Sequence, residues 1–313
     1  MTLDLVTLAG GLALLVAAAS GLVRGAAALA LRVGLTPLVV GLTVVAFGTS
    51  APELVVSVQA TLAGAGGIAV GNVVGSNVAN VGLVLAVAVL MRPLASDASL
   101  FRRDLPVLVA VTGLAALLLA DRQLGRWEGA ALVAGLAGYL VWSVRAARRE
   151  PAAGEVDLAL APNGPAWRDA LFVAAGLGGL VVGADLFVGA AVRLAGAAGV
   201  SNAVIGLTVV AVGTSLPEFA TTVVAVLRGE SEIAVGNVVG SNLFNLLGIL
   251  GAAALVRPVA APGLEPLDVA VMAAFTVALV LMLWTGRRLV RAEGAVLLAG
   301  YVGYLAYLAA SHA

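Results

Sequence analysis

The chain has 313 residues, 62% hydrophobic and 11% charged, with a mean hydropathy of +1.11. So much apolar surface cannot be hidden in a soluble protein of this length, which predicts a multi-span helical membrane protein. The formal net charge of zero gives no basis for a nucleic-acid partner. No Cys and a single His, His312, exclude disulfides, thiolate or imidazole metal sites and His proton relays.

The first apolar run begins at about residue 4. Asp4 stands where a cleaved leader would carry positive charge, so this run reads as an uncleaved first span. Further runs of spanning length follow at about 36–62, 67–91, 104–121, 127–146, 167–195, 201–227, 233–256, 266–285 and 292–310. Ten helices are therefore predicted, the first at about 4–31. The polar, proline-containing stretch 147–166 divides them into a first half, 1–146, and a second half, 167–313.

All 17 basic residues are Arg. With the N-terminus outside, and leaving aside Arg24 within the first helix, twelve of them fall on inner loops and helix ends and four on the outer side: Arg122, Arg126, Arg193 and Arg257. Both termini are then expected outside the cell membrane and the 147–166 linker inside.

GLTVVAFGTSAPE at 41–53 returns as GLTVVAVGTSLPE at 206–218, and IAVGNVVGSN at 68–77 returns unchanged at 233–242. Both pairs share an offset of 165 residues, so one unit is repeated. Five spans per unit is an odd number, so the second copy enters from the opposite side. That inverted repeat suits a transporter offering one site to either face.

Each copy carries a carboxylate, Glu53 or Glu218, within an apolar run, where an ionised group marks a cation-handling site. Pro52 and Pro217 predict breaks in helices 2 and 7, freeing carbonyls from about Ala46 to Thr49 and from Ala211 to Thr214. Thr49, Ser50 and Glu53 share a helix face, as do Thr214, Ser215 and Glu218. In the second motif Ser76 and Asn80 lie four apart, matched by Ser241 and Asn245, while Asn72, Asn77, Asn237 and Asn242 add amides for frayed backbone. Gly71 and Gly75 form a GxxxG pair for close helix approach. Taken singly, GxxxG is mostly packing, a membrane Pro a kink and a terminal Glu a snorkelling side chain. The duplication in register sets those explanations aside. The pooled ligands are hard oxygens, suited to Ca²⁺ or alkali ions. Asp185 and Arg24 are not duplicated and read as structural or interfacial.

GTSAPE and GTSLPE, each with its GNVVGSN, resemble the two α-repeats of the cation/Ca²⁺ antiporter superfamily and, within it, the prokaryotic sodium/calcium exchangers. The resemblance covers the ten-span layout and is strongest over 36–91 and 201–256. It implies an all-α membrane protein of ten transmembrane helices in two inverted five-helix repeats, with broken helices 2, 3, 7 and 8 around a midplane ion site. It implies that Glu53 and Glu218 bind Ca²⁺ directly, completed by the Thr49 and Thr214 carbonyls. Ser50, Ser76, Ser215, Ser241 and the Ala46 and Ala211 carbonyls would serve Na⁺, with Asn80 and Asn245 lining the centre. Helices 1 and 6 move as a pair in such proteins. Two departures stand out. Gly-Ala-Asp, common near the start of each half, occurs only in the second, and Asn245 stands where a K⁺-dependent branch has Asp. The proton-coupled branch has Glu where Gly75 and Gly240 stand.

The expected function is Ca²⁺/Na⁺ antiport in a monomer without a resident cofactor, its partners being the two ions and the bilayer. A Ca²⁺/H⁺ exchanger on the same scaffold is the alternative, with a cation channel behind it. No HExxH zinc motif is present, and no enzyme is expected.

Overall fold

The computed structural model describes residues 2–95, 98–147, 164–197, 211–286 and 288–311. The linker therefore lies largely outside the described residues, as does the start of the seventh expected span. Among the described residues seven helices are long and apolar enough to cross a membrane, and a bent pair, Pro37–Thr49 with Ala51–Leu62, would make an eighth. The described helices overlap the apolar runs from which they are expected, within a few residues.

Helix α1 (Thr2–Val33) runs antiparallel to α9 (Ala166–Ala197). An ion pair closes each end: Asp4 with Arg193 at 2.7 Å and Arg32 with Asp169 at 2.6 Å. Between them the backbones come too close for side chains. A Cβ on Gly11 would meet the Phe187 nitrogen at 2.8 Å, and one on Gly176 the Leu22 Cβ at 2.8 Å. These glycines are required by the approach itself.

The second span begins as α2 (Pro37–Val40), with the Thr36 hydroxyl capping the Val39 N–H and Pro37 in the first turn. A π turn (Gly41–Val45) and α3 (Ala46–Thr49) follow, and the chain bends by 46° into α4 (Ala51–Leu62). The bend is tighter than the proline predicts. Ser50 alone leaves the helical region, at φ −84°, ψ 8°, and its N–H still reaches the Ala46 carbonyl at 3.1 Å. For Ala46 the expected release of its carbonyl is corrected here, because the Ser50 N–H still reaches it and Pro52 occupies the second position of a new helix, where no N–H is needed. In the second half α10 (Ala211–Thr214) and α11 (Leu216–Leu227) repeat the arrangement, with Ser215 at φ −88°, ψ 8°.

Two deeply buried helical columns form the centre. The first is α5 (Gly66–Ala79), a π turn (Asn80–Leu85) and α6 (Ala86–Met91). The second is α12 (Ser231–Leu243), a π turn (Phe244–Ile249) and α13 (Leu250–Val256). The glycines of the second GxxxG explain how α2 and α3 dock on α12. A Cβ on Gly236 would lie 2.7 Å from the Leu38 carbonyl, and one on Gly240 2.5 Å from that of Leu42. The 165-residue counterparts of Leu38 and Leu42, Ala203 and Leu207, lie outside the described residues.

The remaining helices are α7 (Leu105–Leu118, entered by a π turn at Leu100–Asp104), α8 (Arg126–Ala147), α14 (Pro266–Gly286) and α15 (Arg291–Ser311). Helix α8 packs on α13 of the other half, where a Cβ on Gly129 would lie 2.7 Å from the Gly251 carbonyl. Helix α15 packs on α6 in the same way through Gly294 and the Ala86 carbonyl, at 2.9 Å. Helices α7 and α14 meet at Thr112 and Thr276, whose hydroxyls are 3.5 Å apart.

The described fold is all-helical, as expected, apart from two short pairings. Four two-residue strands pair antiparallel, β1 (Leu94–Ala95) with β4 (Arg288–Leu289) and β2 (Gln123–Leu124) with β3 (Val259–Ala260). They join loops of opposite halves at opposite ends of α7 and α14, and the 165-residue offset carries β1 onto β3 and β2 onto β4. Strands of two residues leave no alternation in the sequence from which to be found.

Candidate cation site

Glu53 is the third residue of α4 and Glu218 the third of α11. Both carboxylates thus sit in a first helical turn, where the helix dipole favours negative charge. Both are 1% exposed, so neither is a surface carboxylate that escapes to a headgroup. Ser50, three residues before Glu53, donates a hydrogen bond to Glu218, which brings the two carboxylate-bearing turns together. Among the described residues there is no group of three or more Asp, Glu, His or Cys placed to hold a metal ion.

Hydrogen bonds tie the two halves together here. The Ser50 hydroxyl donates to Oε1 of Glu218 at 2.7 Å. The Thr49 hydroxyl reaches Asn237 Oδ1 at 3.2 Å and the Ala46 carbonyl at 3.3 Å. Asn80 donates to Asn242 Oδ1 at 3.0 Å, and Asn242 to the Asn77 carbonyl at 3.4 Å. Ser215 stands beside Glu53 without closing a hydrogen bond of good geometry.

Within each half one Asn braces the carboxylate-bearing turn. Asn72 Nδ2 donates to the Glu53 carbonyl at 3.3 Å and to the Ser57 hydroxyl at 2.9 Å. Asn237 Nδ2 donates to the Glu218 carbonyl at 3.4 Å and to Thr222 Oγ1 at 3.0 Å. The expectation that these amides bond backbone is met. Ser57 and Thr222 are additional members of the network, fully buried. Their signal in the sequence is a hydroxyl four residues after each Glu.

Of the predicted residues, Ala46, Thr49, Ser50, Glu53, Ser76, Asn80, Ser215, Glu218, Ser241 and Asn245 are all buried. Thr214 is partly buried, and Ala211 begins α10. The hydrogen bonds connect Thr49, Ser50, Glu218 and Asn80 across the halves. The Ser241 hydroxyl and Asn245 Oδ1 stay outside these bonds, without a protein partner. So do Glu53 Oε2, Asn77 Oδ1, Asn80 Oδ1, Ser215 Oγ, Thr221 Oγ1 and Glu218 Oε2. Buried polar atoms are ordinarily satisfied, and leaving one unpaired costs about 1–3 kcal/mol. Eight such oxygens lie on the motif helices and their continuations, all of the hard type that alkali and alkaline-earth cations accept. Thr221 has no hydroxyl counterpart in the first half, where Val56 stands, so the repeat could not reveal it.

Arg24 and Asp185 stay outside this network. Arg24 lies over the Phe172 ring at 5.5 Å, and Asp185 is exposed on α9.

The sodium/calcium exchanger protein family matches the chain twice, over residues 3–145 and 169–310. CaxA of Alkalimonas amylolytica is 40% identical over 94% of this chain and 95% of its own length. The sodium/calcium exchanger MaX1 of Methanosarcina acetivorans is 32% identical over 98% of this chain and 99% of its own. A solved structure of the sodium-calcium exchanger NCX_Mj superposes with a TM-score of 0.86 at 31% identity, covering 98% of this chain and 99% of that one. The repeated motifs, the buried carboxylates and these likenesses agree: the chain is a multi-pass membrane transporter, not an enzyme, and belongs to the sodium/calcium exchanger family.

Proposed function

We propose that this protein exchanges Ca²⁺ for Na⁺ across the cell membrane by alternating access and works in the direction of Ca²⁺ extrusion. The Ser50–Glu218 hydrogen bond is the observation that carries this function. It draws a hydroxyl of one half onto the carboxylate of the other, so that the two halves share a single dry, oxygen-lined site. Two carboxylates balance one Ca²⁺ or the greater part of a Na⁺ load, and the pair resists standing ionised without a cation.

In this reading Glu53 and Glu218 hold Ca²⁺ with the carbonyls of Thr49 and Thr214. Ser50, Ser76, Ser215, Ser241 and the carbonyls of Ala46 and Ala211 take Na⁺, and Asn80 and Asn245 line the centre. The Ala46 carbonyl accepts from both Ser50 and Thr49, so the Thr49 hydroxyl must release it before it can coordinate. The ten spans form two inverted halves interrupted in helices 2, 3, 7 and 8, with the termini outside and the 147–166 linker inside. The protein works as a monomer without a resident cofactor, the ions being cargo.

Purified protein in liposomes, given ⁴⁵Ca²⁺ and an imposed Na⁺, K⁺ or H⁺ gradient, tests this. Uptake driven by Na⁺ alone is expected. Uptake driven only by H⁺ would replace this function with proton-coupled exchange.

A further inference from the structure

Helices α7 and α14 touch at Thr112 and Thr276, and a groove lies toward each end of their seam. The larger, of about 780 Å³, lies beside the start of α7 and the end of α14 and is lined by Phe101, Arg102, Leu105, Val109, Val280 and Trp284. Its size falls within the roughly 300–1,000 Å³ of small-molecule sites. Its wall is apolar except at one end, where Arg102 stands exposed with no ion-pair partner among the described residues. The neighbouring Asp104 does not offset that charge, being buried and bonded to Arg103 and to the Tyr139 hydroxyl. Trp284, 75% exposed, flanks the same groove, and Arg288 follows four residues later in β4.

The groove at the opposite end acts as a built-in comparison. It is about half the size, near 380 Å³, and is lined by Arg122 and Glu265 together. Arg122 there donates to the Pro262 carbonyl. That end is charge-balanced, whereas the Arg102 end offers a cation, an indole and a long apolar wall.

We propose that the α7–α14 groove at the Arg102 end holds an anionic phospholipid of the bilayer. One acyl chain lies against Leu105, Val109 and Val280, Trp284 packs at headgroup level, and the phosphate pairs with Arg102. Basic pockets between membrane helices recognise anionic headgroups in this way, and indoles settle at the interface. Zwitterionic lipid fits the apolar wall equally well and can also offer a phosphate to the guanidinium, but its choline ammonium offsets that charge, so the net charge of the headgroup supplies the selectivity.

The test uses full-length protein keeping Trp284 as its sole tryptophan, with Trp127, Trp142 and Trp167 changed to Phe. It is reconstituted in phosphatidylcholine liposomes containing a minor fraction of lipid brominated on its acyl chains. Brominated phosphatidylglycerol should quench Trp284 with about fivefold higher apparent affinity than brominated phosphatidylcholine, the worth of one arginine near an anionic surface. Arg102→Gln should erase that preference. Ala110→Phe, filling the groove, should reduce quenching by both lipids, and added inorganic phosphate should not compete. Equal quenching by the two lipids in the parent protein, a preference surviving Arg102→Gln, or displacement by inorganic phosphate would each overturn the assignment.

Discussion

Ser50 of the first half and Glu218 of the second are joined by a 2.7 Å hydrogen bond with both residues buried. The bond spans 168 residues of sequence and joins the bend of one repeat to the carboxylate of the other. Ser50→Ala removes a donor to a buried charged acceptor, an interaction worth about 1.5–3 kcal/mol. The apparent affinity for Na⁺ or Ca²⁺ should fall by about tenfold or more, equivalent to at least about 1.4 kcal/mol. Titrating each ion in the liposome flux assay measures it, and unchanged affinities would remove Ser50 from the site.

Glu53→Gln and Glu218→Gln should each reduce Ca²⁺ flux to background. Both changes keep the side-chain shape and remove charge repulsion, so thermal stability should hold or rise. Wild-type flux in either variant would contradict the assignment of the carboxylates.

Asn245 presents an unpartnered Oδ1 beside the buried network, one turn past Ser241. Asn245→Asp adds a third carboxylate to a site built for two. The variant must take up an additional monovalent cation or a proton, so its flux should acquire a dependence on K⁺ or on pH. Flux insensitive to both would place residue 245 outside the centre.

If three Na⁺ exchange for one Ca²⁺, as the resemblance to sodium/calcium exchangers suggests, one net charge moves per cycle. An imposed potential should then bias transport by about 2.3 kcal/mol per 100 mV. Na⁺-driven flux measured with valinomycin-clamped K⁺ gradients tests this, and indifference to potential would rule out that stoichiometry.

The chain contains no Cys, so single substitutions report sidedness cleanly. Ala153→Cys in the linker should resist an impermeant maleimide added to intact cells and react in inverted vesicles. Labelling from outside would reverse the orientation drawn from the Arg distribution.

The sequence exposed those features that repeat within one element. Glu53 and Glu218, their neighbouring hydroxyls and the Asn-rich motifs recur at one offset in apolar runs, and helix bounds follow from run length. Features that depend on contact between elements were not legible. The Asn80–Asn242 pair joins residues of two helices whose proximity no periodicity states. Tyr139 to Asp104, and Tyr304 to Asp268 at 2.8 Å, form matching clasps between the fourth and fifth expected helices of each half. Each Tyr reads in sequence as one more aromatic in a lipid-facing run. The retained Ala46 bond went unforeseen because a proline shows where a new helix begins without showing how tightly the preceding one closes.

The long antiparallel pair of α1 and α9 has a mechanical consequence. Slippage of one rod past the other by a helical turn, about 5.4 Å, would separate Asp4 from Arg193 and Arg32 from Asp169 together. It would also drive side chains into backbone at Gly11 and Gly176. The ion pairs are partly exposed and individually weak, but the glycine seam makes shear sterically forbidden rather than merely unfavourable. The two helices therefore form a single stiff panel, and a push applied at either edge is delivered whole to the other.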